Sequence, residues 1–126
     1  MMAEITTLGV AETIRVDGRR LGDIVNELGA TAARDLITRA LEQLALTLRV
    51  VDLAIASGDL SAGADHADRL ARLAWQIGLL SLAGVAMDLG GCAERRDLAS
   101  LAAVRARLMR VGNRSLTEIW DQAGMS

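Results

Sequence analysis

The stretch ITRALEQLALTLRVVDLAI, residues 37–55, decides the fold class of this 126-residue chain. Its apolar residues repeat at alternating spacings of four and three, namely Ile37, Leu41, Leu44, Leu48, Val51 and Ile55. That spacing places them on one face of an α-helix, which is typical of the buried seam of a helical bundle. Thr31 is expected to cap this helix, Asp35 to lie in its first turn, and residues 57–59 to end it.

Two further helices are predicted, one on each side of this long helix. Residues 19–28 form the first, and Gly29 ends it because glycine is best suited to the left-handed closing position. After a predicted loop at residues 60–64, Asp65 caps the second, which should break near Gly84 because glycine weakens a helix interior by about 1 kcal/mol relative to alanine. Their core-facing residues are Leu21, Ile24, Val25 and Leu28 in the first, and Leu70, Leu73, Ile77 and Leu80 in the second.

The C-terminal third is predicted to contain three more helical segments. Residues 85–95 form one, Asp97 caps a long helix that ends at residues 112–113, and Ser115 with Glu118 forms a capping box before a short last helix. That last helix contains Ile119 and Trp120. The predicted buried stripes are Ala86, Leu89 and Cys92 in the first segment, and Leu101, Val104, Leu108 and Val111 in the second.

The fold class follows from what these segments share. No stretch shows the period-two alternation of a sheet strand, and no proline interrupts a helix. Four main helices joined by short connections predict an all-α, up-down antiparallel four-helix bundle with a short N-terminal helix. Residues 19–126 are expected to form this single domain, and residues 1–18 a mobile or loosely packed N-terminal arm.

Composition narrows the function classes. The net charge is only −2, all fourteen basic residues are arginine, and two tryptophans are the only aromatic residues, so nucleic-acid binding through base stacking is not expected. The single cysteine cannot form an intramolecular disulfide, which fits a reducing compartment and favours the cytoplasm. The longest apolar run, residues 73–87, is shorter than the about 20 residues that a membrane span needs.

The residues that could carry chemistry are few. His66 is the only histidine and has neither a second imidazole nor a thiolate at ligand spacing, so no metal site is predicted. The carboxylates lie on the polar faces of amphipathic helices, and neither a phosphate-binding loop nor a nucleophile elbow occurs. Cys92 lies on an apolar stripe and is interpreted as core packing. The sequence therefore predicts no catalytic residue and no cofactor.

One feature favours binding instead. On a continuous helical wheel from residue 65 to residue 92, Trp75, Leu79 and Leu82 fall opposite the core-facing stripe. An exposed patch made of one tryptophan and two leucines reaches the few hundred Å² of contiguous apolar surface that monomers normally expose, so it is expected to be covered. The N-terminal arm, the first helix or the segment around Trp120 could cover it. The alternative is a surface for a partner or for self-association.

Two stretches resemble the histidine-phosphotransfer domains of two-component phosphorelays. The segment ELGATAARDLITRALEQLALTLRVVDLAIASGD is similar to the second helix of that family and its closing Gly-Asp. The segment RLARLAWQIGLLSLAGVAMDLGGC resembles the phosphoacceptor helix, its Leu-Gly corner and the following helix, with Gly84 and Cys92 at the family's spacing. The resemblance covers about residues 21–116 and implies an up-down four-helix bundle.

The chain departs from the family at the positions that carry phosphoryl transfer. Trp75 stands in the place of the phosphorylated histidine, and its indole nitrogen is only a donor. Gly78 replaces a lysine that neutralises phosphate, and Leu79 replaces a small residue that lets the partner approach. The resemblance thus implies a non-catalytic member that binds a receiver domain or a histidine kinase. Its predicted binding residues are Trp75, Leu79, Leu82, Arg72 and Gly78.

Two other hypotheses remain open at this stage. In the first, the same apolar face packs on a second copy, and the chain is a homodimeric structural bundle without a signalling partner. In the second, His66 is a displaced phosphoacceptor and Arg69, three residues later, supplies the positive charge. His66 lies near the core stripe at the start of its helix, which disfavours that role.

Overall fold

The computed structural model describes residues 13–122 and contains five α-helices in that range. They are α1 (Gly18–Leu28), α2 (Ala30–Ala56), α3 (Leu60–Gln76), α4 (Leu80–Glu94) and α5 (Leu98–Gln122). The described residues form no β-strand, and one isolated antiparallel bridge joins Val16 to Leu79. The predicted all-α class is confirmed.

The helices pack around one hydrophobic core. Helix α2 contacts α1, α3 and α5, and α4 contacts α3 and α5. All six residues of the α2 seam are buried, as predicted: Ile37, Leu41, Leu44, Leu48, Val51 and Ile55. Across the α2–α5 contact, Arg105 Nε donates a hydrogen bond of 2.6 Å to Asp52 Oδ1. That ion pair is half-buried and raises the pKa of the Arg105 guanidinium through the hydrogen bond.

The first two helices meet at a glycine. Helix α1 starts after Asp17, whose side chain accepts hydrogen bonds from the backbone of its first turn, and it ends at Gly29 with a φ of 81°. Helix α2 begins at Ala30, directly after this glycine, and has no side-chain cap. The prediction that Thr31 caps α2 is therefore wrong, because Gly29 both closes α1 and opens α2. Of the predicted α1 face, Leu21 and Ile24 are buried, and Val25 and Leu28 are exposed.

Helix α3 starts earlier than the sequence suggests. Gly58, with a φ of 81°, closes α2, and the side chain of Asp59 accepts a hydrogen bond of 3.1 Å from the backbone of Ala62. The prediction of a loop at residues 60–64 is wrong, and so is the prediction that Asp65 caps this helix. One residue, Asp59, ends the turn and caps the next helix, so no loop is needed.

The break after α3 lies at Gly78 and not at Gly84. Gly78 has a φ of 83°, and a Cβ placed on it would lie 3.0 Å from both Cβ and the carbonyl oxygen of Asp17. This position therefore requires glycine for its backbone angle and for the close approach of residue 17. Gly84 lies inside α4, with open space where its side chain would be. Of the core residues predicted around this break, Leu70 and Ile77 are buried, whereas Leu73 and Leu80 are half-buried.

The last helix is longer than predicted. Asp97 caps it, accepting a hydrogen bond of 3.1 Å from the backbone of Ser100, and Cys92 is buried in α4 as expected. Helix α5 then continues through residues 112–113. Gly112 does not end the helix: a Cβ there would lie 2.6 Å from Leu48 Cδ2, so the glycine permits close packing of α5 against α2. The predicted capping box does not exist, since Ser115 is fully buried inside this helix.

The cap at Asp97 makes the stability of the fold depend on pH. Hydrogen bonds from the backbone and the side chain of Ser100 lower the pKa of Asp97 from its ordinary value of 3.8. Because the folded-state pKa lies below the unfolded one, the stabilisation is complete above the unfolded pKa and is lost as pH falls through the folded pKa. Asp97→Asn keeps a capping oxygen without the titration. In urea unfolding at a series of acidic pH values, the free energy of unfolding should fall less steeply with decreasing pH for this variant than for the parent chain. Equal pH dependences of the two would contradict a stabilising role of the ionised Asp97.

Candidate interaction surface

Trp75 is the one predicted binding residue that is strongly exposed and apolar. It lies in the last turn of α3 with 66% of its surface exposed. Met87 of α4, 67% exposed, lines the same groove between α3 and α4. The groove has a volume of about 330 Å³, and its lining residues are Asp68, Ala71, Arg72, Trp75, Gln76, Ala83 and Met87. We call it the Trp75–Met87 groove.

The register of the two helices explains why the groove exists. Ala71 lies one turn before Trp75 on α3, and Ala83 lies one turn before Met87 on α4, so each large side chain follows a small one on the same face. Both alanines are buried, at 7% and 2% exposure. The alanines therefore form the floor of the groove, and the two large apolar side chains remain accessible.

One edge of the groove is polar. Arg72 forms an ion pair with Asp68, four residues earlier on α3, and both side chains are largely exposed. An exposed pair of this kind contributes at most about 1 kcal/mol to stability. Its effect is instead to hold the Arg72 side chain beside the apolar floor, where a partner could contact it.

Three of the five predicted binding residues do not form an exposed face. Leu79 and Leu82 are both 0% exposed, and Gly78 is buried beneath Asp17. The wheel that put these leucines beside Trp75 assumed one unbroken helix. The turn at Gly78 ends α3 and restarts the chain as α4 in a new orientation, so the phase of the wheel is lost there. The prediction of a Trp75–Leu79–Leu82 face is wrong.

The sequence reasoning missed Met87. A signal was present, because α4 carries Asp88 and Glu94 as its only charged residues and is apolar or small on every side. A helix that is hydrophobic all round is usually buried all round. Among the helices, α4 packs mainly against α3 and α5, and Gly84 and Met87 remain exposed.

The end of the N-terminal arm docks beside Leu79, a fully buried residue of the hydrophobic core. Residues 13–17 are docked on the corner between α3 and α4, with Val16 bridging to Leu79 and the carbonyl of Arg15 accepting hydrogen bonds from the backbone of Leu80 and Ser81. Leu79 provides no side-chain cap for α4, so the Arg15 carbonyl takes that role. This part of the arm is held on the bundle by backbone hydrogen bonds, and residues 1–12 lie outside the described residues.

The arm and α1 approach Trp75 without covering it. Asp17 and Arg20 border the same depression as Trp75, and Arg20 Nε donates a hydrogen bond of 2.8 Å to the carbonyl of Gln76. The indole nevertheless stays two-thirds exposed. Trp120, the other tryptophan, lies on α5 and is 37% exposed.

The remaining candidate residues offer little chemistry. His66 is half-buried in α3, one helical turn ahead of Leu70. Within residues 13–122, no group of three or more histidine, cysteine, aspartate or glutamate side chains could hold a metal ion. No helix in this range has both the length and the hydropathy that a membrane span requires.

Comparisons of this chain with protein-family models, curated proteins and solved structures gave no match.

Proposed function

We propose that this chain is a non-catalytic helical module that binds a protein partner through the Trp75–Met87 groove. In this proposal α2–α5 form an up-down antiparallel four-helix bundle and α1 is the short N-terminal helix. The observation that carries the proposal is the exposure of Trp75 and Met87 side by side above a floor of buried alanines. Tryptophan and methionine are both enriched in protein interfaces.

The magnitudes fit a docking surface of moderate affinity. A tryptophan buries about 150–250 Å² when covered, and methionine adds a comparable apolar contribution. At about 25 cal/mol per Å², burial of about 300 Å² in total supplies roughly 7 kcal/mol before the cost of association. That cost is about 4–15 kcal/mol and takes most or all of this gain, so further contacts are needed for a stable complex. It serves as the hot spot of a larger contact, of the kind made when an amphipathic helix enters a groove.

The resemblance to histidine-phosphotransfer domains supports a receiver domain or a histidine kinase as the partner. Those domains bind receiver domains and histidine kinases, and Trp75 occupies the position of their phosphoacceptor. An indole has no free lone pair with which to attack phosphorus. Binding without phosphoryl transfer, in the cytoplasm, is the function that follows.

The test compares two groove variants with a matched surface variant. Trp75→Arg and Met87→Arg each place a charge in the groove, whereas Leu46→Arg places the same charge on α2 at a leucine that is 61% exposed. Calorimetry with purified receiver and histidine-kinase domains should show at least about tenfold weaker binding for both groove variants, about 1.4 kcal/mol. Leu46→Arg should bind as the parent chain does.

Two results would contradict this function. Equal affinities for the parent and both groove variants would remove the groove as the binding surface. A concentration-dependent mass in light scattering that Trp75→Arg abolishes, without binding to any receiver or kinase domain, would show that the groove joins two copies of the chain.

A further inference from the structure

We infer that residues 13–17 form a releasable strap over the α3–α4 corner, and that its release enlarges the interaction surface by exposing Leu79. The strap is the segment TIRVD, which precedes α1. The inference relies on the proposed function for what binds the enlarged surface. The opening of the strap is independent of any partner.

The strap holds the corner mainly through its backbone. Asp17 N–H donates to the Gly78 carbonyl at 2.7 Å, and the Arg15 carbonyl accepts from Leu80 at 3.0 Å and from Ser81 at 3.3 Å. Arg15 N–H donates to Ser81 Oγ at 2.8 Å. These bonds supply the first N–H groups of α4 with an acceptor, which a helix N-terminus otherwise takes from a side chain or from water.

The side-chain hold of the strap is slight. Only Ile14 and Val16 pack against the core, and both remain half-buried, whereas Thr13, Arg15 and Asp17 are exposed. Segments with few buried apolar contacts and accessible backbone hydrogen bonds open locally at a lower free energy than the whole domain unfolds.

The position of the strap connects it to the Trp75 surface. Asp17, Gly78 and Leu80 border a depression of about 430 Å³ that also includes Trp75 and Gln76. Leu79, fully buried while Val16 bridges to it, lies directly beside this depression in the chain. Lifting the strap therefore adds an apolar residue to the existing surface. Leu79, predicted from sequence to bind a partner, is available only in this open form.

Glycine substitutions provide a matched pair of variants. In Gly78→Ala the new Cβ would lie 3.0 Å from the Cβ and the carbonyl oxygen of Asp17 and 3.3 Å from the Cβ of Arg20, so the end of the strap must shift by a few tenths of an ångström to make room. Gly58→Ala introduces a side chain at almost the same backbone angle, φ of 81° against 83°, with nothing within 4 Å. Both variants carry the strain of an alanine at positive φ, and only the first crowds the strap.

Hydrogen exchange measured by NMR tests the opening. In the parent chain the amides of Asp17, Leu80 and Ser81 should exchange at least tenfold faster than that of Leu108, with rates that low denaturant leaves unchanged. Gly78→Ala should accelerate these three amides at least tenfold relative to Gly58→Ala. If they exchange only through global unfolding in the parent chain, or if both variants accelerate them equally, the strap does not open separately.

Binding separates this inference from the proposed function. Once a receiver or kinase domain that binds the groove is in hand, Gly78→Ala should bind it at least threefold more tightly than Gly58→Ala. If the strap amides accelerate as expected and the affinities stay equal, the strap does not limit the surface, and the proposed function stands. If Trp75→Arg leaves binding unchanged while the exchange results hold, the strap opens as inferred and the proposed function fails.

Discussion

Leu82→Ala is expected to lower the free energy of unfolding by about 2–5 kcal/mol, whereas Trp75→Ala should lower it by less than about 1 kcal/mol. Leu82 is 0% exposed in α4, and its truncation removes buried methyl groups and leaves a cavity in a close-packed core. Trp75 is two-thirds exposed, so its removal costs little packing within the chain. If Trp75 and Leu82 shared an exposed binding face, Leu82→Ala would not lower the free energy of unfolding more than Trp75→Ala.

Urea unfolding followed by circular dichroism measures both variants under the same conditions. Leu53→Ala, at a leucine of α2 that is 56% exposed, is the control for loss of a leucine side chain without a cavity. A small loss of stability for Leu82→Ala, similar to that of the control, would place Leu82 on the surface and contradict the corner at Gly78.

Gly112→Ala is expected to destabilise the chain by about 1–3 kcal/mol, and Gly84→Ala to stabilise it by about 0.5–1 kcal/mol. Both glycines lie inside helices, so both substitutions gain helix propensity. They differ in their surroundings, because a Cβ on Gly112 would lie 2.6 Å from Leu48 Cδ2, while the position on Gly84 is open. The clash outweighs the propensity only at Gly112.

A double-mutant cycle with Leu48→Ala checks the cause of the Gly112 effect. Leu48→Ala alone removes buried side-chain atoms and should destabilise, but it also makes room for the new methyl group. Gly112→Ala should then cost at least about 1 kcal/mol less in the Leu48→Ala background than in the parent chain. Additive effects of the two substitutions would show that α2 and α5 do not meet at this pair.

The sequence predicted the helical class and the α2 seam correctly because both depend on periodicity within a single helix. The ends at Gly29 and Asp97 were also predicted correctly, but the predicted breaks at Gly84 and Gly112 were wrong, because a glycine can either end a helix or lie inside one. Gly78 adopts a positive φ and turns the chain, whereas Gly84 and Gly112 lie in helix interiors. Which role a glycine takes depends on its neighbours, such as Asp17 beside Gly78 and Leu48 beside Gly112, and those contacts are remote in sequence.

The turn at Gly78, which the sequence did not predict, also determined how much of the candidate site could be predicted. Trp75 precedes the turn at Gly78, and its outward position was predicted correctly from the periodicity. Leu79 and Leu82 follow the turn, so a wheel carried across it placed them on the wrong side. Met87 was missed for the same reason, and the docking of Val16 on Leu79 is a long-range contact that no local pattern shows.

The most direct test of the proposed function is an NMR titration of the ¹⁵N-labelled chain with a receiver or histidine-kinase domain that binds it. We expect the backbone amides of residues 68–76 and 83–88 and the indole N–H of Trp75 to shift on binding, while the amides of Leu46 and Leu53 on α2 do not. Shifts centred on α2, with the Trp75 indole unchanged at saturation, would contradict it.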